Sequence, residues 1–234
     1  MAKHFQVDTA GTLLTGLLAY YKLSADALDF FGSNNLTASN ITYPDGAAFN
    51  GSNSALYRNA LISGLGFSIS FRFKLTSNYN SGNSNEISLW NENTSGQSPA
   101  CYFNHASGGH PGSIRCYIYG GANCDSYTTT NSWVGGTWYN FVMTCDTSGN
   151  IKFYINGADD TIHVSAETSG LIWSSIIAFM CNNFYSDFSV NGSIKDIGIW
   201  TKILSTQEIT DLHNGGNGQT MVDSVPFIPQ ISFV

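Results

Sequence analysis

Charge is what this 234-residue sequence has least of: Asp, Glu, Lys and Arg together make up 11% of it, against roughly 25% in an ordinary soluble protein. That shortage excludes coiled coils and helical bundles, which need Ala, Glu, Lys, Leu and Arg in bulk. Disorder is excluded as well, because 42% hydrophobic and 14% aromatic residues can bury a sizeable core. Basic residues are the scarcer kind, nine against sixteen acidic, for a net charge of −7. No run of Lys or Arg exists, so there is no electrostatic footprint for nucleic acid or for an anionic membrane. Long apolar runs are missing too. The longest, around Leu171–Cys181, is broken by Ser174 and Ser175 and cannot span a bilayer. The opening MAKHFQVD has no hydrophobic segment of a secretory signal, so export by the ordinary route is unsupported. No CxxC occurs, which removes the usual zinc spacing. The five cysteines are an odd number, so at least one is unpaired within a single chain. No internal repeat, Ser-His-Asp or Cys-His order, or phosphate-cradling Gly loop is legible.

What is present is short, alternating and aromatic. LLAYYKL, GFSISFRFKL, EISLW, ACYFN, SIRCYIYG, WYNFVMTC, IKFYING, IIAFMC and SIKDIGIW are strand-like runs separated by PDG, NSGNSN, SGGHPG and TSGN turns. In SISFRFKL, Ile69, Phe71, Phe73 and Leu75 share one face and Ser68, Ser70, Arg72 and Lys74 the other. CYFN and RCYIY form a candidate hairpin that sets Cys101 opposite Cys116 as a candidate cross-strand disulfide, while Cys145 and Cys181 sit in apolar strand-like runs as small hydrophobes. One helix is legible: Ser205-Thr206-Gln207-Glu208 is a capping box, Ile209 and Leu212 give an apolar side, and Asn214-Gly215-Gly216 stops it. The expected fold is all-β, a sandwich of two packed sheets with one short C-terminal helix. Residues 1–12 read as an N-terminal arm, 13–216 as the domain and 217–234 as a C-terminal tail or arm. In that tail Phe227, Ile228 and Phe233 are candidates for contact with a neighbour, the alternative being an extra edge strand.

Several segments, in order, resemble the laminin-G-like jelly rolls of the concanavalin A-like lectin/glucanase superfamily. GLLAYYKL, the turn from Asp29 to Thr37 and AAFNGSNSALY are similar to the opening strands. GTWYNFVMT and IKFYING are similar to the central strand and hairpin. NGSIKDIGIWTKILSTQEITDLHNGG is similar to the last strand and short helix, as in pentraxins. The resemblance covers roughly residues 13–216. It implies that the first and last strands pair antiparallel, but it leaves function open, because this fold hosts lectins, hydrolases, adhesion domains and virion proteins.

Each family chemistry can be tested on the residues. Sandwich glucanases carry a motif resembling E-x-D-x-x-E; the nearest stretch here runs from Glu86 to Glu92, with Ser88 where the middle acid belongs. On an extended strand those carboxylates lie about 20 Å apart, whereas paired glycosidase carboxylates need roughly 5–9.5 Å. The reading is therefore non-enzymatic. For calcium, the resemblance implies at most one structural Ca²⁺, with Asp29 and Asp196 as candidate ligands. Against it, Lys195 stands where the family often has Asp, and Asp29 alternatively caps an Asx-turn before Gly32. For glycans, a site needs a stacking aromatic beside amide or carboxylate hydrogen-bonders. The loop candidates are Tyr127, Trp133, His110 and Tyr185, while Trp138 and Trp200 sit in motifs that read as core.

The combined expectation is a lectin-like structural protein on the surface of a virus particle, such as a phage head-decoration, fibre or tail-associated subunit. Its expected partners are other virion proteins or further copies of itself in a homo-oligomer, together with cell-surface or mucus glycans. The alternatives are an extracellular or cell-surface carbohydrate-binding or adhesion module, and a glycoside hydrolase-like scaffold.

Overall fold

The computed structural model describes residues 12–59, 61–62, 64–83, 87–91, 100–104, 109–118, 124–165, 176–180 and 190–218. Within these, strands numbered in chain order form two large antiparallel sheets. The first runs, in spatial order, β1 (Leu17–Tyr21), β17 (Asn191–Trp200), β5 (Phe67–Leu75), β12 (Tyr139–Cys145), β13 (Ile151–Ile155) and β14 (Ala158–Asp159). A seventh strand, β3 (Ala47–Asn50), pairs with the first half of β17. The second sheet has eight strands: β15 (Thr161–Ser165), β10 (Cys124–Thr128), β9 (Ile114–Ile118), β8 (Ala100–Phe103), β7 (Ile87–Asn91), β16 (Ile176–Phe179), β4 (Ala55–Asn59) and β2 (Thr37–Ser39). A small pair, β6 (Tyr79–Asn80) with β11 (Ser132–Trp133), lies apart from both. The chain is an all-β sandwich, and β1 pairs antiparallel with β17 as the resemblance implied.

The period-two patterning builds the core. Phe71 of β5 stacks on Phe141 of β12 at 4.7 Å and meets Phe179 of β16, in the other sheet, edge-on at 6.2 Å. Phe73 meets Phe103 of β8 at 5.6 Å. Each such ring, taken fully out of water, contributes on the order of 1.5–3 kcal/mol. Cys101 and Cys116 are direct partners in the β8–β9 register, as the hairpin reading required. Both are buried thiols, with the Cys101 Sγ 3.5 Å from Met143 Sδ, and the fold holds them without the cross-strand disulfide.

The outer face of the seven-stranded sheet is divided in two, and this division positions a site. Helix α1 (Thr206–His213) begins with the capping box foreseen in the sequence: Ser205 Oγ accepts from the Glu208 amide, and Glu208 Oε2 accepts from the Ser205 amide at 2.8 Å. Ile209 and Leu212 bury against Tyr20, Val142 and Trp200. Ser68 Oγ ties the connecting segment down, donating to the Lys202 carbonyl at 2.7 Å and accepting from the Leu204 amide at 3.0 Å. Ser68 and Ser70 are therefore buried although they lie on the polar side of β5, while Arg72 and Lys74, on the same side, stay half-buried beyond the helix.

Candidate functional site

On the outer face of the eight-stranded sheet, cross-strand register assembles a row. Tyr102 of β8 opposes Arg115 of β9, which opposes Tyr127 of β10. Their neighbours Cys101, Phe103, Ile114 and Cys116 point into the core, so strict alternation turns the row outward. Arg115 donates to the Tyr102 hydroxyl at 2.7 Å, and its guanidinium lies 5.8 Å from the Tyr102 ring and 5.5 Å from the Tyr127 ring. The 109–112 loop folds over the end of the row and brings exposed His110 to within 4.5 Å of the Tyr127 ring. Its Gly112 has φ +83, and a Cβ there would lie 2.3 Å from the Asn131 carbonyl, so only glycine fits.

Two of the aromatics expected in loops sit elsewhere. Trp133 is fully buried: its Nε1 donates to the Gly112 carbonyl at 2.8 Å, and its ring packs on Phe73, Phe103 and Tyr139. It offers no face to a sugar, because residues 132–133 form a strand over the end of the core rather than a solvated loop. Tyr127 is 5% exposed and backs Arg115 and His110 instead of presenting its own ring. The accessible chemistry belongs to His110, half-buried Tyr102 and half-buried Arg115. The last two were missed in the sequence although their alternation with Cys101, Phe103 and Cys116 was the signal. Tyr185 and the tail residues Phe227, Ile228 and Phe233 lie outside the described residues, as do Glu86 and Glu92.

The uncovered half of the other sheet carries a second constellation. Trp138, read from the sequence as core, is only half-buried there. Its Nε1 donates to Asp45 Oδ2 at 3.0 Å, and the same carboxylate takes Lys195 Nζ at 2.6 Å and Lys74 Nζ at 3.2 Å. Lys195, Lys74 and Arg72 lie 4.1, 4.7 and 5.5 Å from the indole centroid, within cation–π reach. The hydrogen bond from Lys195 foremost, then those from Trp138 and Lys74, hold the Asp45 carboxyl well below the usual range against a smaller opposing effect of burial. The Pro44-Asp45-Gly46 turn can dock this closely because Gly46 has φ +87 and a Cβ there would stand 2.6 Å from the Ile194 carbonyl. Beside it opens a groove of about 310 Å³ lined by Lys22, Ser24, Arg72, Lys195 and the carboxylates of Asp45 and Asp196.

The implied calcium ligands both contact Tyr20, but at opposite ends of that residue. Asp29 accepts from the amides of Tyr20, Phe31 and Asn34 at 3.1, 3.4 and 3.1 Å, the local turn that was the alternative reading. Asp196 accepts from the Tyr20 hydroxyl at 2.8 Å and faces Arg72 Nη1 at 3.9 Å. Amide hydrogens and a guanidinium already address these oxygens, so the pair does not fit a Ca²⁺, which requires six to eight oxygen ligands turned toward one point. Among the described residues, no group of three or more His, Cys, Asp or Glu is placed to hold a metal ion.

Comparison with known proteins agrees with the fold. No curated protein matches the chain. Among solved structures, domain 4 of an extracellular arabinanase from Geobacillus stearothermophilus, in complex with arabinotriose, matches with a TM-score of 0.66 and 20% identity, covering 83% of this chain and 97% of that one. The botulinum neurotoxin serotype D binding domain matches with a TM-score of 0.63 and 16% identity over 86% of this chain. The binding domain of botulinum neurotoxin DC in complex with rat synaptotagmin II matches with a TM-score of 0.62 and 18% identity over 85%. The chain spans about half the length of these toxin domains, 52% and 51% respectively. A laminin-G-like family model described as the concanavalin A-like lectin/glucanases superfamily matches residues 49–210, more than half of the sequence, and the chain belongs to that family.

Proposed function

We propose that this chain is a non-catalytic carbohydrate-binding domain that takes a saccharide along the Tyr102–Arg115–His110 row. The observation that carries the reading is the register that lines up Tyr102, Arg115 and Tyr127 on an outward sheet face, against which the 109–112 loop sets the His110 imidazole. A sugar presents apolar C–H faces and hydroxyls together. The tyrosine ring and imidazole meet the former, and the Arg115 guanidinium, which already donates to the Tyr102 hydroxyl, shares its N–H donors with the latter. Support comes from the arabinanase domain, which has nearly the same extent as this chain and was solved with arabinotriose.

Titration calorimetry with arabinotriose, backed by an array of neutral glycans, tests the proposal. Tyr102→Ala or Arg115→Ala is expected to weaken binding by about tenfold, roughly 1.4 kcal/mol, with an unchanged melting temperature. Silence of the wild-type protein across the array would remove the reading. Release of reducing sugar from a bound glycan would overturn its non-catalytic part.

A narrower proposal sets the domain on the surface of a virus particle, as a decoration, fibre or tail-associated subunit that binds host or mucus glycans as an oligomer. It is supported by the resemblance of the closing LSTQEITDLHNGGNG stretch, residues 204–218, to the stand-alone laminin-G-like modules common in phage structural proteins. Capsid and tail genes flanking the coding sequence are the expected finding, and a neighbourhood of polysaccharide-degradation genes would favour the extracellular module instead. Light scattering is expected to show an oligomer that dissociates when residues 217–234 are deleted; a monomer unchanged by the deletion would count against assembly.

A further inference from the structure

We propose that the groove beside Trp138 is a second binding site, separate from the tyrosine row, and that it takes a carboxylate-bearing sugar. The first observation is charge. The groove lining and the rim around Trp138 hold Lys22, Arg72, Lys74 and Lys195, four of the nine basic residues in the chain, against two of its sixteen acidic residues, Asp45 and Asp196. This locality carries +2 in a molecule of −7. At physiological salt the screening length is about 8 Å, so a ligand in the groove feels the near charges rather than the total.

The second observation is donor geometry. Asp45 shows what the donors around Trp138 are shaped to hold: one carboxylate, gripped by an indole N–H and two ammonium groups within 2.6–3.2 Å. That carboxylate belongs to a surface turn and is half exposed, so an incoming acid can share or take over its donors. On the groove side, Arg72 is held in place by donating to the Asn217 carbonyl at 2.7 Å.

The third observation is backbone strain. Leu23 and Asp196 both adopt left-handed φ, +57 and +55, whereas most other such residues among those described are Gly or Asn. Asp196 interrupts the β17–β5 register between Lys195 and Gly198, and its amide reaches the Lys22 carbonyl at 3.3 Å. Asp196 lines the groove, and Leu23 lies between its lining residues Lys22 and Ser24; uncommon backbone conformations of this kind are retained where a site has a use for the shape they impose. A half-buried indole among cations supplies both an apolar surface for a sugar ring and donors for its acid group.

The inference rests on the saccharide reading for its ligand class but not on the tyrosine row. Calorimetry would compare trigalacturonate with its neutral methyl ester, at low and at high salt. The acid is expected to bind, the ester to bind about tenfold more weakly or not at all, and high salt to weaken the acid. Lys22→Gln combined with Lys195→Gln is expected to lower affinity for the acid by at least about tenfold, whereas Asp45→Asn, which removes the competing carboxylate, is expected to raise it. Opposite signs from neighbouring substitutions separate binding from a general loss of folding. Tyr102→Ala is expected to leave trigalacturonate binding intact. Equal binding of acid and ester, no binding of either, no response to the lysine substitutions, a loss of affinity in Asp45→Asn, or a loss in Tyr102→Ala would each overturn the proposal. Failure of the tyrosine row to bind neutral sugars would leave it standing.

Discussion

The two outer faces of this sandwich reach a recognition surface by different routes. On the eight-stranded sheet, three adjacent strands put Tyr102, Arg115 and Tyr127 side by side, and the contacts are a hydrogen bond to a hydroxyl and ring-to-cation packing. On the seven-stranded sheet, Asp45, Lys74, Trp138 and Lys195 come from a turn, the end of one strand, the approach to another and a bulged strand, and ion pairs hold them together. The first surface follows from pleat and register, so its side chains can be exchanged without moving the backbone. The second depends on how a turn docks, so its chemistry and its backbone cannot be altered independently.

That difference can be tested by substitution. The largest effect is expected from Trp133→Ala, which hollows the core under the 109–112 loop and removes the bond to the Gly112 carbonyl. A loss of about 3–5 kcal/mol in a urea melt is the expected result, with His110 released as a consequence. A loss below 1 kcal/mol would mean that Trp133 is not the anchor of that loop. Gly46→Ala is next. At φ +87, with a backbone carbonyl 2.6 Å from the new Cβ, it is expected to cost about 1–3 kcal/mol and to shift the Trp138 indole N–H resonance. An unshifted resonance would show that the turn docks independently of Gly46. No comparable cost is expected from Tyr102→Ala on the other face.

A smaller effect concerns pH. The folded state holds the Asp45 carboxyl below its unfolded value of roughly 3.9. Its contribution is therefore fully present above that value and is lost as pH falls toward the folded pKa. Stability of the native protein is expected to decline below about pH 4, and Asp45→Asn should flatten that part of the profile. An identical acid limb in the variant would show that Asp45 adds nothing. The smallest expected effect is none: EDTA should leave the melting temperature unchanged, because amides and a guanidinium already address the oxygens of Asp29 and Asp196. A lowered melt would restore a calcium site.

Much of the sandwich was legible because strand patterning is local. The alternation in SISFRFKL, the opposition of Cys101 and Cys116 and the Ser205–Glu208 capping box appear in the structure as the residues suggested, and the first and last strands pair as the resemblance implied. The site was less legible, and the misses share a cause. Trp133 looked like a loop residue because TTTNSWVGG is polar, yet a two-residue strand pairing with β6 turns its ring inward. Trp138 looked like core because GTWYNF opens a buried strand, yet it precedes the strand and the helix does not reach it. Local composition shows that an aromatic will find a surface to cover, but not which surface.

The sequence by itself determined the class of fold, because period-two patterning, turn chemistry and a shortage of charge leave few architectures open. Alternation set which residues within each strand share a face, but the register that lines up Tyr102, Arg115 and Tyr127 came from the pairing of three strands. Only the tertiary structure decided which half of the seven-stranded sheet α1 would cover. It alone brought Asp45 onto Lys195, 150 positions further along the chain. Contacts of that kind depend on where the chain ends up after many turns, and no spacing within a single segment encodes them.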